Sequence, residues 1–77
     1  MATQRFTVIL TWDEQEKLWV THVPALNWIS TYGKTQEEAL AMTQEAILGY
    51  LEEAEKEGVA TPYFDTEARL TQVEVVR

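Results

Sequence analysis

The sequence predicts an α+β domain of element order β-β-β-α-β: a mostly antiparallel four-stranded sheet, strand order 3-2-1-4, with one long helix packed on one face. Three observations carry that expectation. Arg5 to Trp12 alternates with period two, Gln36 to Glu57 spaces its apolar residues three and four apart, and Leu70 to Val76 alternates again. Period two is the mark of a strand and period 3.6 the mark of a helix. With 77 residues the chain has room for one domain, residues 1–77, and for no separate DNA-binding domain.

In the first strand Phe6, Val8, Leu10 and Trp12 point one way, and Thr7, Ile9 and Thr11 the other. Asp13-Glu14-Gln15-Glu16-Lys17 is a polar break of hairpin-loop length. Leu18 to Val23 returns as the second strand, apolar in part on both faces, and Pro24 stops it because proline has no N–H for a ladder. Trp28 to Tyr32 reads as a short third strand, and Gly33 as a permissive turn into the helix. Thr35-Gln36-Glu37-Glu38 forms a capping box, with Thr35 as the cap and Glu38 reaching back.

Along the helix, Ala39, Leu40, Thr43, Ala46, Ile47, Tyr50, Leu51 and Ala54 form one stripe for the sheet. Gln44, Glu45, Leu48, Glu52, Glu53 and Glu55 lie on the opposite side. Gly49 inside the helix costs about 1 kcal/mol relative to alanine. Gly58 suits a C-cap. Val59 to Ala68 reads as a loop. The final strand follows, and the crossover rule places it parallel to strand one on that strand's free edge. A compact chain of this length has a radius of gyration of about 11–12 Å.

Charge narrows the function. The net charge is −7, and seven glutamates with one lysine between Gln36 and Glu57 supply −6 of it. Six scattered Lys and Arg do not make the basic patch that phosphates require, so direct nucleic-acid binding is not expected. No apolar run reaches membrane-spanning length, and a cytoplasmic location is expected. The chain has no cysteine, so disulfides and thiolate metal sites are out. A domain this small has a thin stability margin, and a homodimer or larger assembly is the expected aid. Its seam is expected at the free edge of strand four, through Val73 and Val75, or on the sheet face carrying Ile9, Leu18 and Val20.

Catalytic patterns are weak. Gly33-Lys34-Thr35 before a helix has Trp28 where a phosphate-binding loop needs its first glycine. His22, the single histidine, has no local partner for acid–base work. Glu52 with Glu55, or Glu53 with Glu57, could share a cation only adventitiously, so neither a metal nor a cofactor is expected. Of the three tryptophans, Trp28 follows Pro24 in a loop and is the first choice for a contact outside the core; the alternative is a plug for the open end of that core.

Pro24 and Leu26, followed by Gly33, Thr35, Glu38 and Ala39, resemble the HicB antitoxin family, whose N-terminal domain has a Pro-x-Leu turn, a short strand and a Gly-x-Thr-x-x-Glu-Ala helix start. Glu45-Ala46-Ile47 and Tyr50-Leu51 also fit that family's helix. The chain departs from the family at Ala25 and Lys34, where Asp is common, and near Trp28 and Ile29, where a Gly-Cys pair is common. The resemblance implies a partial ribonuclease H-like fold and a non-catalytic role: binding a small, basic, RNA-cleaving toxin of the HicA type and covering its RNA-binding surface. Glu45, Glu52, Glu53 and Glu55, with Trp28, are the residues expected to meet it. Only twenty residues follow the helix, too few for the operator-binding module many members carry, so operator binding is not implied. The alternative is a stand-alone oligomeric interaction module of the same fold without a toxin. An enzyme of the ribonuclease H kind would need several carboxylates on the sheet, and the strands offer Glu74 alone.

Overall fold

The structure, a computed structural model, describes residues 4–58 and 65–77. Strands β1 (Ile9–Asp13), β2 (Leu18–Val23) and β3 (Ile29–Gly33) form an antiparallel meander in that spatial order, and one helix, α1 (Gln36–Lys56), follows. β2 stands where the alternation puts it. β1 is shorter than the alternating stretch because its partner runs out: Ile9 pairs with His22, and beyond Val23 the chain turns through the buried Pro24 into a single 3-10 turn, Pro24–Leu26.

Register assigns the faces. Thr21 lies between Leu10 and Thr31, and Trp19 lies between Trp12 and Gly33. Directly opposed residues share a face. The Thr21 hydroxyl touches Thr43 of α1, so this row and its alternates face the helix. Ile9, Val20, His22 and Tyr32 consequently face away from it. Val23, Leu26 and Ala39 are the fully buried apolar residues, with Thr21 and Thr43 buried among them.

The hairpin turn is held by Asp13, whose carboxylate accepts from the N–H groups of Gln15 and Glu16 at 3.0 and 3.1 Å. Lys17 takes a positive φ of 56° to re-enter the strand. It pairs with Glu14, which also accepts from the Trp12 indole at 2.6 Å. Lys17 first, and Trp12 second, hold the Glu14 carboxyl below the ordinary glutamate range.

At the helix start the Thr35 hydroxyl accepts from the Glu38 N–H at 3.0 Å. Glu38 reaches back one residue past the cap, accepting from the Lys34 N–H at 3.3 Å. Gly33 serves a purpose other than turn freedom. It is buried, and a Cβ there would lie 2.4 Å from the Ala39 backbone nitrogen, so glycine lets the first helical turn sit directly on β3. Gly49 faces open space. Gly58, at φ 73°, closes the helix by donating to the Glu55 carbonyl at 3.0 Å.

The expected four-stranded sheet of order 3-2-1-4 is not what forms: among the described residues the sheet has three strands, and residues 65–77 carry no ladder pairing. The strand expected parallel to β1 does not form among the described residues. Asp65 captures the N–H and the hydroxyl of Thr7, both at 2.7 Å, and that carboxylate fills the place where a backbone partner would begin. Ala68 to Leu70 then stand off Thr7 to Leu10 across an open cleft of about 310 Å³. Of the loop expected from Val59 to Ala68, residues 59–64 lie outside the described residues. The radius of gyration is 14.9 Å and the principal extents are 51 × 27 × 22 Å, against about 11–12 Å for a compact chain of this length. The molecule is elongated.

Candidate partner-binding surfaces

The helix meets the sheet through hydroxyls as well as apolar side chains. The Oγ1 atoms of Thr21, Thr31 and Thr43 form a triangle: 2.6 Å from Thr21 to Thr43, 2.7 Å from Thr31 to Thr43 and 2.8 Å from Thr21 to Thr31. Thr43 also donates to the Ala39 carbonyl one turn back at 2.8 Å, and Thr31 reaches the same carbonyl at 3.2 Å. Thus β2, β3 and α1 each contribute one threonine to a single satisfied network. Sequence reasoning counted Thr43 as a member of the apolar stripe and did not foresee the cluster. The available signal was threonine at the face-matched positions of two neighbouring strands.

This weld fixes which side of α1 faces outward. Glu45, Glu52, Glu53 and Glu55 are all exposed, as are Glu37, Glu38 and Glu57. Leu48 stands exposed among them. Toward the sheet, Ala39 and Thr43 are buried and Ala46, Ile47, Tyr50, Leu51 and Ala54 are half-buried, while Leu40 lies at the exposed rim. The result is an acidic ridge on the outer side of α1, with Leu48 set into it.

Trp28 lies elsewhere. Its ring is 6.4 Å from that of His22, on the side of the sheet away from α1, and its side chain is 58% exposed. It therefore does not plug the helix–sheet core. Asn27 and Trp28 both hold positive φ, 56° and 57°. Asparagine tolerates that region, whereas for a bulky residue it is an outlier that the surrounding structure has to sustain. Tyr32, 65% exposed, continues the same face beside Val20. The expected contact residues thus fall on two surfaces, the glutamates on the back of α1 and Trp28 on the outer sheet face.

Of the expected seam residues, Ile9, Leu18 and Val20 lie together, half-buried, on that outer sheet face, whereas Val73 and Val75 lie apart in the C-terminal segment and are exposed. The motif positions are consistent with one another: Pro24, Leu26, Gly33 and Ala39 are buried where the strand turns and the helix begins, and Thr35 and Glu38 supply the cap. Between α1 and the segment before β1 runs an open groove of about 340 Å³ whose apolar lining includes Phe6, Val8, Ile47 and Leu51. Among the described residues no group of three or more His, Asp or Glu side chains is placed to hold a metal ion, and no helix is long and apolar enough to cross a membrane.

No family model matches the chain, and no solved structure gives a significant match. The chain is 43% identical over 58 residues to the UPF0150 protein Ta0767 of Thermoplasma acidophilum, an alignment covering 75% of this chain and 83% of that protein. At that identity and coverage the chain belongs to the UPF0150 family.

Proposed function

We propose that this protein is a HicB-like, antitoxin-type binding protein that occludes a small, basic, RNA-cleaving toxin and has no catalytic role of its own. The observation that carries the reading is the acidic ridge of α1: six exposed glutamates against one lysine, with Glu57 exposed just past its end, on a helix held to its sheet by buried hydroxyls. A protein that blocks an RNA-cleaving enzyme competes with phosphate for a basic surface. Glutamates fixed on a rigid helix supply complementary charge and steer encounter, raising association rates by about 10- to 1,000-fold at low salt. The Pro24–Leu26 turn and the Gly33-to-Ala39 helix start, which resemble the HicB pattern, support the same reading.

The test is toxin rescue. The gene beside this one is examined for a small basic protein, and the pair is co-expressed in a growth assay with binding measured across a salt series. Rescue is expected, together with affinity that falls as salt rises. Glu45→Gln/Glu52→Gln/Glu53→Gln, all exposed changes that leave the fold alone, should weaken binding at low salt by at least 10-fold. Binding that ignores both salt and the triple change would refute the role assigned to the ridge. A second reading, a stand-alone oligomeric module, draws on the exposed apolar C-terminal segment, which offers a self-association surface with no toxin involved. Failure of rescue alongside an intact oligomer would favour it.

A further inference from the structure

We propose that residues 70–76 of this chain pair with the open outer edge of β1 in a second copy, so that two chains exchange their C-terminal segments and form a two-fold dimer. The inference does not depend on the toxin-binding reading.

Two unsatisfied features occur in every copy. β1 is an edge strand with no ladder partner on its outer side among the described residues. The C-terminal segment alternates as a strand does and has one charge, Glu74, between Leu70 and Val76, yet Val73 is 82% and Val75 77% exposed. An unpaired, apolar, weakly charged strand is what folded proteins ordinarily cover. The chain's own segment does not cover its own edge: the Asp65–Thr7 contact holds the start of the segment, and Ala68 to Leu70 remain across the cleft from Thr7 to Leu10.

Surface area points to a second copy. The chain exposes 6685 Å², whereas a compact monomer of this mass exposes about 4,800 Å². The excess is about 1,900 Å² per chain, more than the roughly 1,600 Å² that a standard stable interface buries in total. Each copy carries both the segment and the edge, so reciprocal exchange closes as a two-fold dimer and leaves neither feature over.

Alternation also assigns the faces. Val8 borders both the cleft at the β1 edge and the groove against α1. A strand added at that edge places alternate side chains over the groove, and Val73 and Val75 are the pair that suits its apolar lining. Glu74 then points to the outer face and stays in water.

Light scattering and sedimentation on the full chain, from micromolar to millimolar concentration, test the proposal. The expected species is a dimer of twice 8.9 kDa. Val73→Asn/Val75→Asn changes two residues that are exposed in the single chain, so the helical signal in circular dichroism should be unaltered while the dimer weakens by at least 100-fold. In a dimer of mixed isotopic labelling, nuclear Overhauser contacts should join the Val73 and Val75 methyls of one copy to Phe6 and Val8 of the other. A monomeric wild type, a dimer indifferent to the double change, or contacts found only within one copy would each overturn the proposal.

Discussion

Replacing Thr43 by valine and by serine distinguishes a hydroxyl that welds helix to sheet from a residue that merely fills an apolar stripe. Valine keeps the shape and removes the hydroxyl; serine keeps the hydroxyl and removes the methyl. In Thr43→Val, Thr21 and Thr31 retain each other at 2.8 Å, and Thr31 retains the Ala39 carbonyl at 3.2 Å, so no hydroxyl is orphaned. The loss is then that of ordinary hydrogen bonds, about 1 kcal/mol net. A methyl group also cannot occupy a site 2.6 and 2.7 Å from two oxygens, so the neighbours have to shift. Such overpacking costs a further ~1–3 kcal/mol. The expected total for Thr43→Val is about 2–4 kcal/mol, a large part of the roughly 4–12 kcal/mol available to a chain this size. Thr43→Ser loses one buried methyl, about 1 kcal/mol. Urea unfolding at one fixed chain concentration measures both, since association would otherwise shift the midpoints. Serine should therefore be the milder change, the reverse of what hydropathy predicts. Valine equal to wild type, or milder than serine, would refute the hydroxyl weld.

Other substitutions probe other joints. Gly33→Ala puts a Cβ 2.4 Å from the Ala39 nitrogen, and because backbone cannot yield cheaply, thermal melts should show a loss of at least about 2 kcal/mol. Asp65 is held below the ordinary aspartate range by the Thr7 hydroxyl first and the Thr7 N–H second. A lowered folded-state value means that the Asp65–Thr7 contact is fully favoured above the unfolded value, about 3.9, and is lost as pH falls through the lower folded one. The Thr7 amide signal should follow that titration in NMR and stay flat in Asp65→Asn. Trp28→Gly removes a bulky residue from φ 57°, so stability should hold or rise by up to about 1 kcal/mol while toxin binding drops if the exposed ring is a contact.

The elements that could be read from the sequence are those whose local signals agree with their tertiary partners. β2 has alternation and a proline stop. α1 has a threonine cap, a stripe and a glycine end, and its start at Gln36 follows directly. The C-terminal strand has alternation alone. That pattern states which residues can pair, but not whether an edge is free to receive them, and here Asp65 already takes the Thr7 N–H on the approach to that edge. Gly33 was legible as a necessary glycine, though for the wrong reason, since close approach and backbone freedom leave the same letter in a sequence. The exposure of Trp28 was half legible: Asn27 hints at a left-handed residue, but nothing local requires the next one to be left-handed too. The threonine triangle needed register, which no single strand contains.

The two proposed interactions use different parts of the molecule, and this makes them separable. The proposed dimer uses the β1 edge, the groove behind it and residues 70–76, and the proposed toxin contact uses the glutamates on the back of α1, which are exposed. Exchange therefore leaves the acidic ridge open, and a dimer presents two ridges and twice the negative field. Val73→Asn/Val75→Asn conserves net charge, so a monomer made that way should still bind toxin at each ridge. Its losses should lie in avidity and in the steering contributed by the second chain, both of which fade as salt rises. Glu45→Gln/Glu52→Gln/Glu53→Gln should show the converse, a dimer of undiminished strength that binds toxin weakly at low salt. Sedimentation of both variants with and without toxin reads all four outcomes in one experiment. If the valine variant lost toxin binding completely at every salt concentration, the binding surface would have to span both copies, and the ridge alone would no longer account for recognition.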